Sequence, residues 1–201
     1  MAGVTYRCIM ADPPWAERGG GRIKRGADRH YPVIETCEIA KVMLRAPCWR
    51  PATDAHLWLW VTNNFLPDGL ALMERLGFRY VTNVAWVKMR NEPAIHTDDV
   101  QQSAHDSLQI GLGQYFRGAH ELLLFGTRGK AFVPGTADRY PSVIFEERGR
   151  HSVKPGWAYE LATSVSHGPY LEMFAREPRR GWDVWGNQVD SGSTQEIAQT
   201  Q

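Results

Sequence analysis

A carboxylate set against two prolines and a tryptophan follows the first apolar run of this chain. The four residues are Asp12, Pro13, Pro14 and Trp15. Proline fixes φ and restricts the preceding residue, so the Asp12 carboxylate and the Pro13 carbonyl would be two hydrogen-bond acceptors in fixed positions. Such a pair can draw an exocyclic nucleobase amine, a poor nucleophile, toward tetrahedral geometry, while Trp15 offers a ring for base stacking. The alternative is a turn that ends a strand, with Asp12 as its cap and Trp15 in the core.

A glycine-rich basic segment comes next in the sequence. Its cationic residues are Arg18, Arg22, Lys24, Arg25 and Arg29. Cations at this density suit the phosphates of a nucleic acid, and the glycines allow the segment to become ordered when it binds. The segment therefore predicts a substrate-binding loop beside Asp12, with a solvated connecting loop as the alternative.

The composition narrows the class of protein. The chain has 201 residues, of which 43% are hydrophobic and 22% are charged, a balance typical of one globular domain. Its net charge of +1 means that any basic surface must be local. The three cysteines have no zinc or disulfide spacing, which favours a reducing cytoplasm, and no apolar run has the length of a membrane span. We therefore expect a cytoplasmic protein without membrane contact.

Apolar segments alternate with amphipathic ones along most of the chain. The pattern predicts strands over residues 6–11, 55–63, 79–89, 119–129, 170–175 and 183–188, and helices over residues 35–44, 66–78 and 152–166. The strands are apolar throughout, which predicts burial on both faces. The fold class is therefore α/β, a doubly wound and mostly parallel sheet with helices on both faces. Ligands would sit at the carboxyl ends of the strands, where Asp12 lies, and the polar residues 90–118 predict a long functional loop.

Six segments in a fixed order identify a resemblance to a known family. They read ADPPW, LWLWVTNN, VAWVK, GQYFRGAHELLLFGTRG, HSVKPGWAYEL and LEMFAR…GWDVWGNQ. Together they resemble the MT-A70 family of S-adenosylmethionine-dependent N6-adenine methyltransferases, from about Tyr6 to Gln188. The resemblance implies a single Rossmann-like class I methyltransferase domain of permuted β-type over residues 1–189, with the cofactor strand last. Residues 190–201 are expected to form a polar, disordered tail.

The resemblance also implies roles for particular residues. It implies catalytic Asp12, Pro13, Pro14 and Trp15, and a site for S-adenosylmethionine formed by Ala11, Asp12, Lys154, Phe174, Arg176, Asn187 and Gln188. Lys154 would meet the methionine carboxylate, and the two C-terminal amides would hold the ribose hydroxyls. The alternatives are a surface lysine, a C-terminal turn and a structural ion pair of Arg176. The chain departs from the family at Ala175, where many members have glycine.

Substrate contacts are expected at two places. The basic loop supplies Arg22, Lys24 and Arg25, and the resemblance adds Tyr31, Lys88 and Arg117. The substrate implied is adenine in a polynucleotide. Without a separate reading domain the chain resembles bacterial and phage members, which favours DNA, with weak or short sequence specificity, in a bacterium or a phage-infected cell. Duplex DNA would require base flipping.

Several alternatives to this function remain open. They are an RNA adenosine N6-methyltransferase, a non-catalytic nucleic-acid-binding family partner, a nucleotide-dependent enzyme acting on a small molecule, and cytosine N4 methylation. The histidines and acids between residues 96 and 106 lack a metal-ligand spacing, and the chemistry needs no metal, so none is expected. The sequence does not fix the oligomeric state, and a homodimer is among the arrangements it allows.

Overall fold

The computed structural model describes residues 3–15, 36–91, 104–111, 115–136, 139–147, 154–187 and 189. Its elements in chain order are β1 (Tyr6–Ala11), α1 (Thr36–Arg45), β2 (Pro51–Val61), a 3-10 turn (Asn63–Phe65), α2 (Leu66–Arg75), β3 (Arg79–Met89), β4 (His120–Arg128), β5 (Val143–Glu147), α3 (Trp157–Val165), β6 (Tyr170–Met173) and β7 (Trp182–Trp185). The described strands and helices confirm those that the sequence pattern predicts. Strand β5 is an addition, which the pattern did not reveal.

In the described part of the chain, seven strands form one sheet in the order β5-β3-β4-β2-β1-β6-β7. The pairs β1–β2, β1–β6, β6–β7 and β3–β5 are parallel. Strand β4 runs antiparallel to both of its neighbours, β2 and β3. The first residues of β4 therefore lie beside the last residues of β2 and β3, and Glu121 pairs with Trp86. We call this side the carboxyl edge of the sheet, and the opposite side the amino edge.

Helices cover both faces of the sheet, as the fold class predicts. On one face α1 and α2 place Ile39, Met43 and Leu72 against Ile9 and other strand residues. On the other face, a second cluster joins α3 to the sheet. Its members include Ala158, Leu161, Ala162, Met10, Trp58 and Trp60. Burial on both faces explains why the central strands are apolar at consecutive positions, since the two side-chain directions of a strand both meet a core.

The helix ends are set by local sequence. Helix α2 has a proline in its first turn, where the missing N–H leaves no hydrogen bond unmade. Gly77 has φ of 79° just beyond its end, a left-handed conformation that side chains with a Cβ disfavour. The turn returns the chain to β3. None of the helices in the described ranges is long and apolar enough to cross a membrane.

Candidate active site

The Asp-Pro-Pro corner stands where β1 ends, at the carboxyl edge. The backbone N–H of Asp12 donates to the carbonyl of Met173 at 3.4 Å, which extends the pairing of β1 with β6 by one residue. The carbonyl of Pro13 accepts the N–H of Trp15 at 2.9 Å. A carbonyl oxygen has two lone pairs, so this carbonyl keeps one acceptor position for another donor. The corner thus holds the carboxylate and the carbonyl in defined positions, as the Pro-Pro step predicts.

Trp15 lies in the core beneath that corner. Its side chain is 7% exposed, and its ring stacks on Phe65 with the ring centroids 5.3 Å apart. Its indole N–H donates to the carbonyl of Trp60 at 3.0 Å. These contacts support the alternative of a core tryptophan, one that anchors the corner to β2 and the 3-10 turn. Contact of its ring with a substrate base stays a prediction.

Five side chains of alternating charge form a continuous chain of contacts at the carboxyl edge, which we call the ion chain. Lys88 lies 2.5 Å from Glu121, and Glu121 lies 2.8 Å from Lys154. Lys154 in turn lies 3.2 Å from Asp12, whose other oxygen lies 3.5 Å from Arg176. Each of the two carboxylates therefore lies between two cations. The ion chain joins β3, β4, the segment before α3, β1 and the turn after β6.

The two carboxylates of the ion chain have opposite pKa shifts. Burial alone would raise both pKa values, because a desolvated carboxylate loses its hydration. At Glu121 the charges of Lys154 and Lys88 outweigh burial and lower the pKa to about 2. At Asp12 burial prevails over Lys154 and Arg176, and the neighbouring charge of Glu121 acts in the same direction, so the pKa is raised. Neighbouring groups whose pKa values are shifted in opposite directions are typical of active sites, where such groups have different roles.

Lys154 has a fixed charge at this site. Burial disfavours its ammonium group, but the charges of Asp12 and Glu121 outweigh burial and raise its pKa. Its Nζ also lies 5.0 Å from the ring centroid of Trp60. Lys88 stands in the same relation to Trp86, at 5.2 Å. Both cations thus lie over aromatic faces, which stabilise a partly desolvated charge.

The turn after β6 is close-packed against the turn after β7. Phe174 has φ of 63°, an uncommon conformation for a residue with a side chain, and its ring packs edge-on to Trp185 at 5.7 Å. Ala175 donates its N–H to the carbonyl of Trp185 at 2.9 Å. A Cβ on Gly186 would collide with the backbone of Ala175, so glycine is needed there. Alanine thus fits at position 175, where many family members have glycine, and the close approach depends on Gly186 instead.

Apart from Ala11 and the corner formed by Pro13, Pro14 and Trp15, the expected site residues fall into three groups. The structure brings together Asp12, Lys88, Lys154 and Arg176. Arg117, Phe174 and Asn187 lie on turns and are not members of the ion chain; the guanidinium of Arg117 donates to the Gly111 carbonyl at 3.0 Å. The remainder lie outside the described residues: Arg22, Lys24, Arg25, Tyr31 and Gln188. Ala11 ends β1 in register with Met173.

Sequence reasoning missed Glu121, which is central to the ion chain. Its side chain is 14% exposed. The signal available was one acid at the start of the apolar run HELLLF, in a predicted strand. An acid that is almost buried requires partners of opposite charge, but the residues that supply them are 33 positions away on either side. The antiparallel placement of β4 brings Glu121 beside Lys88 of β3, and the segment before α3 supplies Lys154.

Comparisons with known proteins agree with this architecture. A seven-stranded sheet with an Asp-Pro-Pro-Trp corner at its carboxyl edge is consistent with a Rossmann-like methyltransferase fold, and the family model described as MT-A70 matches residues 6–188. The chain belongs to the MT-A70 family. It is 25% identical to the type II methyltransferase M.MunI of Mycoplasma sp, over 92% of this chain and 78% of that protein.

Two further relatives are longer proteins. The chain is 25% identical to the human N(6)-adenine-specific methyltransferase METTL4, over 92% of this chain and 38% of that protein. It is 28% identical to the N6-methyladenosine RNA methyltransferase MTA1 of Pyricularia oryzae, over 92% of this chain and 47% of that protein. This chain therefore spans less than half the length of both eukaryotic relatives.

Methyltransferases of this family depend on S-adenosylmethionine, which is the cofactor of this chain. The residues at the carboxyl edge fit its charged end. The amino-acid part of the cofactor carries a carboxylate and an ammonium group, and the ion chain presents cations at Lys154 and Arg176 next to the Asp12 carboxylate. The cations would suit the carboxylate of this zwitterion, and the Asp12 carboxylate would suit its ammonium group.

Proposed function

We propose that this protein transfers a methyl group from S-adenosylmethionine to the N6 amine of adenine in a polynucleotide, most favourably DNA. The observation that carries the proposal is the Asp12 carboxylate, held at a rigid corner between Lys154 and Arg176. Its position, together with the free lone pair of the Pro13 carbonyl, matches the two acceptors that an exocyclic amine needs. The bound cofactor supplies the electrophilic methyl group.

The chain's own residues would bind and orient the amine. Asp12 and the Pro13 carbonyl accept its two N–H bonds, which localises the nitrogen lone pair away from the ring. Asp12 accepts most strongly as a carboxylate, and the cations on either side favour that form against burial. Lys154 and Arg176 also have the charge needed to bind the cofactor carboxylate, so binding of cofactor and placement of Asp12 would be linked.

Exposed aromatic rings and basic residues support a polynucleotide substrate. Tyr115 and Phe116 are 92% and 91% exposed on a turn that leads into β4. Close to these rings, the N–H of Gly111 donates to the carbonyl of Gly118 at 2.7 Å. Two adjacent exposed aromatic rings near a base-modifying site suit stacking on unpaired bases. The basic loop and Arg117 would add contacts to phosphates.

DNA is favoured over RNA by similarity to a bacterial relative that this chain covers over most of its length. M.MunI is named a type II methyltransferase, and this chain covers 78% of its length. MTA1 is named an RNA methyltransferase, and it is covered over 47%. Similarity to a bacterial type II methyltransferase over most of its length supports the DNA alternative, and the proposed specificity is weak or short. A cytoplasmic location in a bacterium or an infected cell accords with such a substrate.

Mass spectrometry of nucleosides tests this function directly. Single-stranded DNA, duplex DNA and RNA of one sequence would each be incubated with the protein and a cofactor bearing a deuterated methyl group, then digested. We expect deuterated N6-methyldeoxyadenosine, with more product from single-stranded than from duplex DNA, because flipping a paired base costs a few kcal/mol. Asp12→Ala should abolish most product, while Glu74→Ala, an exposed acid of α2, should not.

The outcomes separate the competing functions. Product in RNA alone would replace DNA by RNA as the substrate. Methylated cytosine would contradict the assignment of adenine. Cofactor binding without any methylated nucleoside would instead favour a non-catalytic family partner.

The basic loop has a prediction of its own. Replacing Arg22, Lys24 and Arg25 by alanine should raise the KM for DNA and leave cofactor affinity unchanged, since those residues are proposed to contact phosphates only. Each phosphate contact removed should lower the slope of log affinity against log salt by about 0.7–0.9. Replacing Arg45, Arg75 and Arg79, which are exposed on α1, α2 and β3, is the matched control. An unchanged slope in the loop variant would show that the loop does not bind DNA.

A further inference from the structure

A cavity of about 610 Å³ opens at the amino edge of the sheet, opposite the Asp-Pro-Pro corner. The start of β1, the start of β2, the segment after β4 and the segment before β6 line it. Its polar and aromatic lining includes Arg7, Asp54, His56, Lys130, Phe132 and His167. Strand β1 has six residues, so this cavity lies about 20 Å from Asp12. Its volume is in the range of sites that bind small molecules.

An irregularity in the sheet builds one wall of the cavity. Between the pairs Tyr6–Pro51 and Cys8–His56, the chain advances by two positions in β1 but by five in β2. The extra residues of β2 therefore bulge away from β1, and the residue opposite them is Arg7. The bulge is fixed from the other side, because the N–H of Lys130 donates to the Asp54 carboxylate at 2.7 Å.

Glycine is required where this wall meets the end of β4. Gly129 has φ of 62°, and a Cβ there would collide with the Asp54 carboxylate and the Thr53 carbonyl. The bulge, the hydrogen bond and the glycine together give the wall one defined shape. The wall is therefore formed before any ligand binds, as is usual for the pockets that bind small molecules.

A buried histidine lies at the base of the cavity. His56 is 2% exposed, and its Nδ1 lies 2.8 Å from the hydroxyl of Ser166. Its Nε2 makes no hydrogen bond of normal geometry within the part of the chain that the structure describes. Burial lowers the pKa of this imidazole, with a partial offset from the backbone of Phe132. Among the described residues, the Nε2 of this buried imidazole therefore has only an interaction with the Phe132 backbone outside normal hydrogen-bond geometry, which leaves it available to a ligand atom.

The rim of the cavity carries charge and an aromatic pair. Arg7 and Lys130 are exposed, and neither side chain has an ion-pair partner among the residues described. Phe132 and His167 stack with their centroids 4.3 Å apart and their planes inclined by 32°. Asp54 uses one carboxylate oxygen for Lys130. The two cations suit the phosphate of a nucleotide, and the two aromatic rings suit its base. The acid suits its ribose hydroxyls.

We propose that this cavity, which we call the amino-edge site, binds a nucleoside phosphate. Arg7 and Lys130 contact the phosphate, the base stacks on the Phe132–His167 pair, and Asp54 accepts a ribose hydroxyl. The site is separate from the one that transfers methyl groups and does not depend on that function. The same chemistry is offered by a free nucleotide and by the phosphorylated end of a polynucleotide.

Calorimetry with adenosine monophosphate tests this site on the full chain. S-adenosylhomocysteine would first saturate the cofactor pocket, and Asp12→Ala, which alters the acceptor pocket, would show whether the nucleotide binds there instead. We expect saturable binding with a Kd of about 1 mM or tighter, and binding at least about tenfold weaker for adenosine and for inorganic phosphate. Arg7→Gln and Lys130→Gln should each weaken it about tenfold, because each removes one charged contact. Arg75→Gln, on the exposed face of α2, is the matched control.

A competition experiment identifies the source of the ligand, and binding by variants tests whether the site exists. A 5′-phosphorylated oligodeoxyadenylate that competes with the nucleotide would identify a polynucleotide end, and one that does not would identify a free nucleotide. Asp12→Ala should leave nucleotide affinity unchanged, so failure of methyl transfer does not affect this test. Absence of saturable binding, or equal binding by wild type, Arg7→Gln and Lys130→Gln, would overturn the proposal.

Discussion

The two edges of the sheet hold their charges in different ways. At the carboxyl edge the ion chain pairs every carboxylate with two cations, and the contacts range from 2.5 to 3.5 Å. At the amino edge Arg7 and Lys130 face an open cavity, without ion-pair partners among the described residues. Charges that are paired and partly buried are already oriented before a substrate arrives, which is electrostatic preorganisation. Cations left unpaired beside a cavity need an anion from outside the chain.

The ion chain itself contains a second contrast. Glu121 has a lowered pKa and Asp12 a raised one, although both lie between two cations. Glu121 thus stabilises the folded state in its charged form, whereas the charge of Asp12 is held against the preference of its surroundings. Charges held against their surroundings are common at functional sites, so we expect the replacement of Asp12 to affect activity more than stability.

The largest effect should therefore come from Asp12. Asp12→Ala removes one of the two acceptors for the amine, and loss of one preorganised partner lowers kcat by about 10²–10³. Because the surroundings of Asp12 oppose its charge, the free energy of unfolding should change little. Turnover with saturating cofactor and urea denaturation measure the two quantities. Near-normal turnover would contradict the role of Asp12, and a large loss of stability would contradict the contrast with Glu121.

Glu121→Gln should have the larger effect on stability. It leaves Lys154 and Lys88 without their shared carboxylate, and breaking a buried pair costs roughly 3 kcal/mol. The lowered pKa sets the pH dependence. A carboxylate with a folded pKa of about 2 contributes stability that is fully present above its ordinary value of 4.5 and is lost as pH falls toward 2.

Urea denaturation of wild type and Glu121→Gln across this pH range tests that sign. The difference in unfolding free energy should be constant from pH 8 to about 5 and should narrow below it. Glu74→Gln, at an exposed position of α2, should stay within about 0.5 kcal/mol of wild type. A difference that widens as pH falls would contradict the lowered pKa of Glu121.

Lys154 should have an intermediate effect, on cofactor affinity. On the proposed function, Lys154→Ala removes a cation from the cofactor carboxylate and should weaken S-adenosylmethionine binding about tenfold, whereas Lys154→Arg should retain part of it. Lys41→Ala, at an exposed lysine of α1, is the control. Calorimetry measures the affinities, with thermal denaturation to confirm that each variant is folded. Unchanged affinity in Lys154→Ala would leave the lysine with a structural role alone.

The sequence predicted the parts of this structure that depend on local pattern. Consecutive apolar residues predicted the central strands, and the Asp-Pro-Pro step placed Asp12 at the end of β1. Strand β5 was missed because it lies at the edge of the sheet, with alternate residues exposed and Phe145 facing outward. The direction of β4 is also absent from local pattern, since strands of either direction bury the same residues. Glu121 was missed for that reason, because the antiparallel pairing places it beside Lys88, and the packing of the segment before α3 places it beside Lys154.

The amino-edge site was beyond prediction for a related reason. Arg7, Asp54 and Lys130 are unremarkable polar residues in the sequence, near the predicted ends of three strands. They surround one cavity because β2 contains a bulge and a left-handed glycine, Gly129, follows β4. Bulges depend on register, which is a property of two strands together rather than of either sequence.

Salt should produce the smallest effect and should separate the two edges most clearly. Raising the ionic strength from about 0.1 M to about 1 M shortens the Debye length from about 10 Å to about 3 Å, which screens exposed charges more than partly buried ones. Nucleotide affinity at the amino-edge site should fall severalfold, because Arg7 and Lys130 are exposed. The stability difference between wild type and Glu121→Gln should change by less than about 0.5 kcal/mol, because the ion chain is shielded from solvent. Calorimetry and urea denaturation at the two salt concentrations measure these quantities. Equal changes with salt in the free energy of nucleotide binding and in the stability difference would contradict the distinction between paired and unpaired charge.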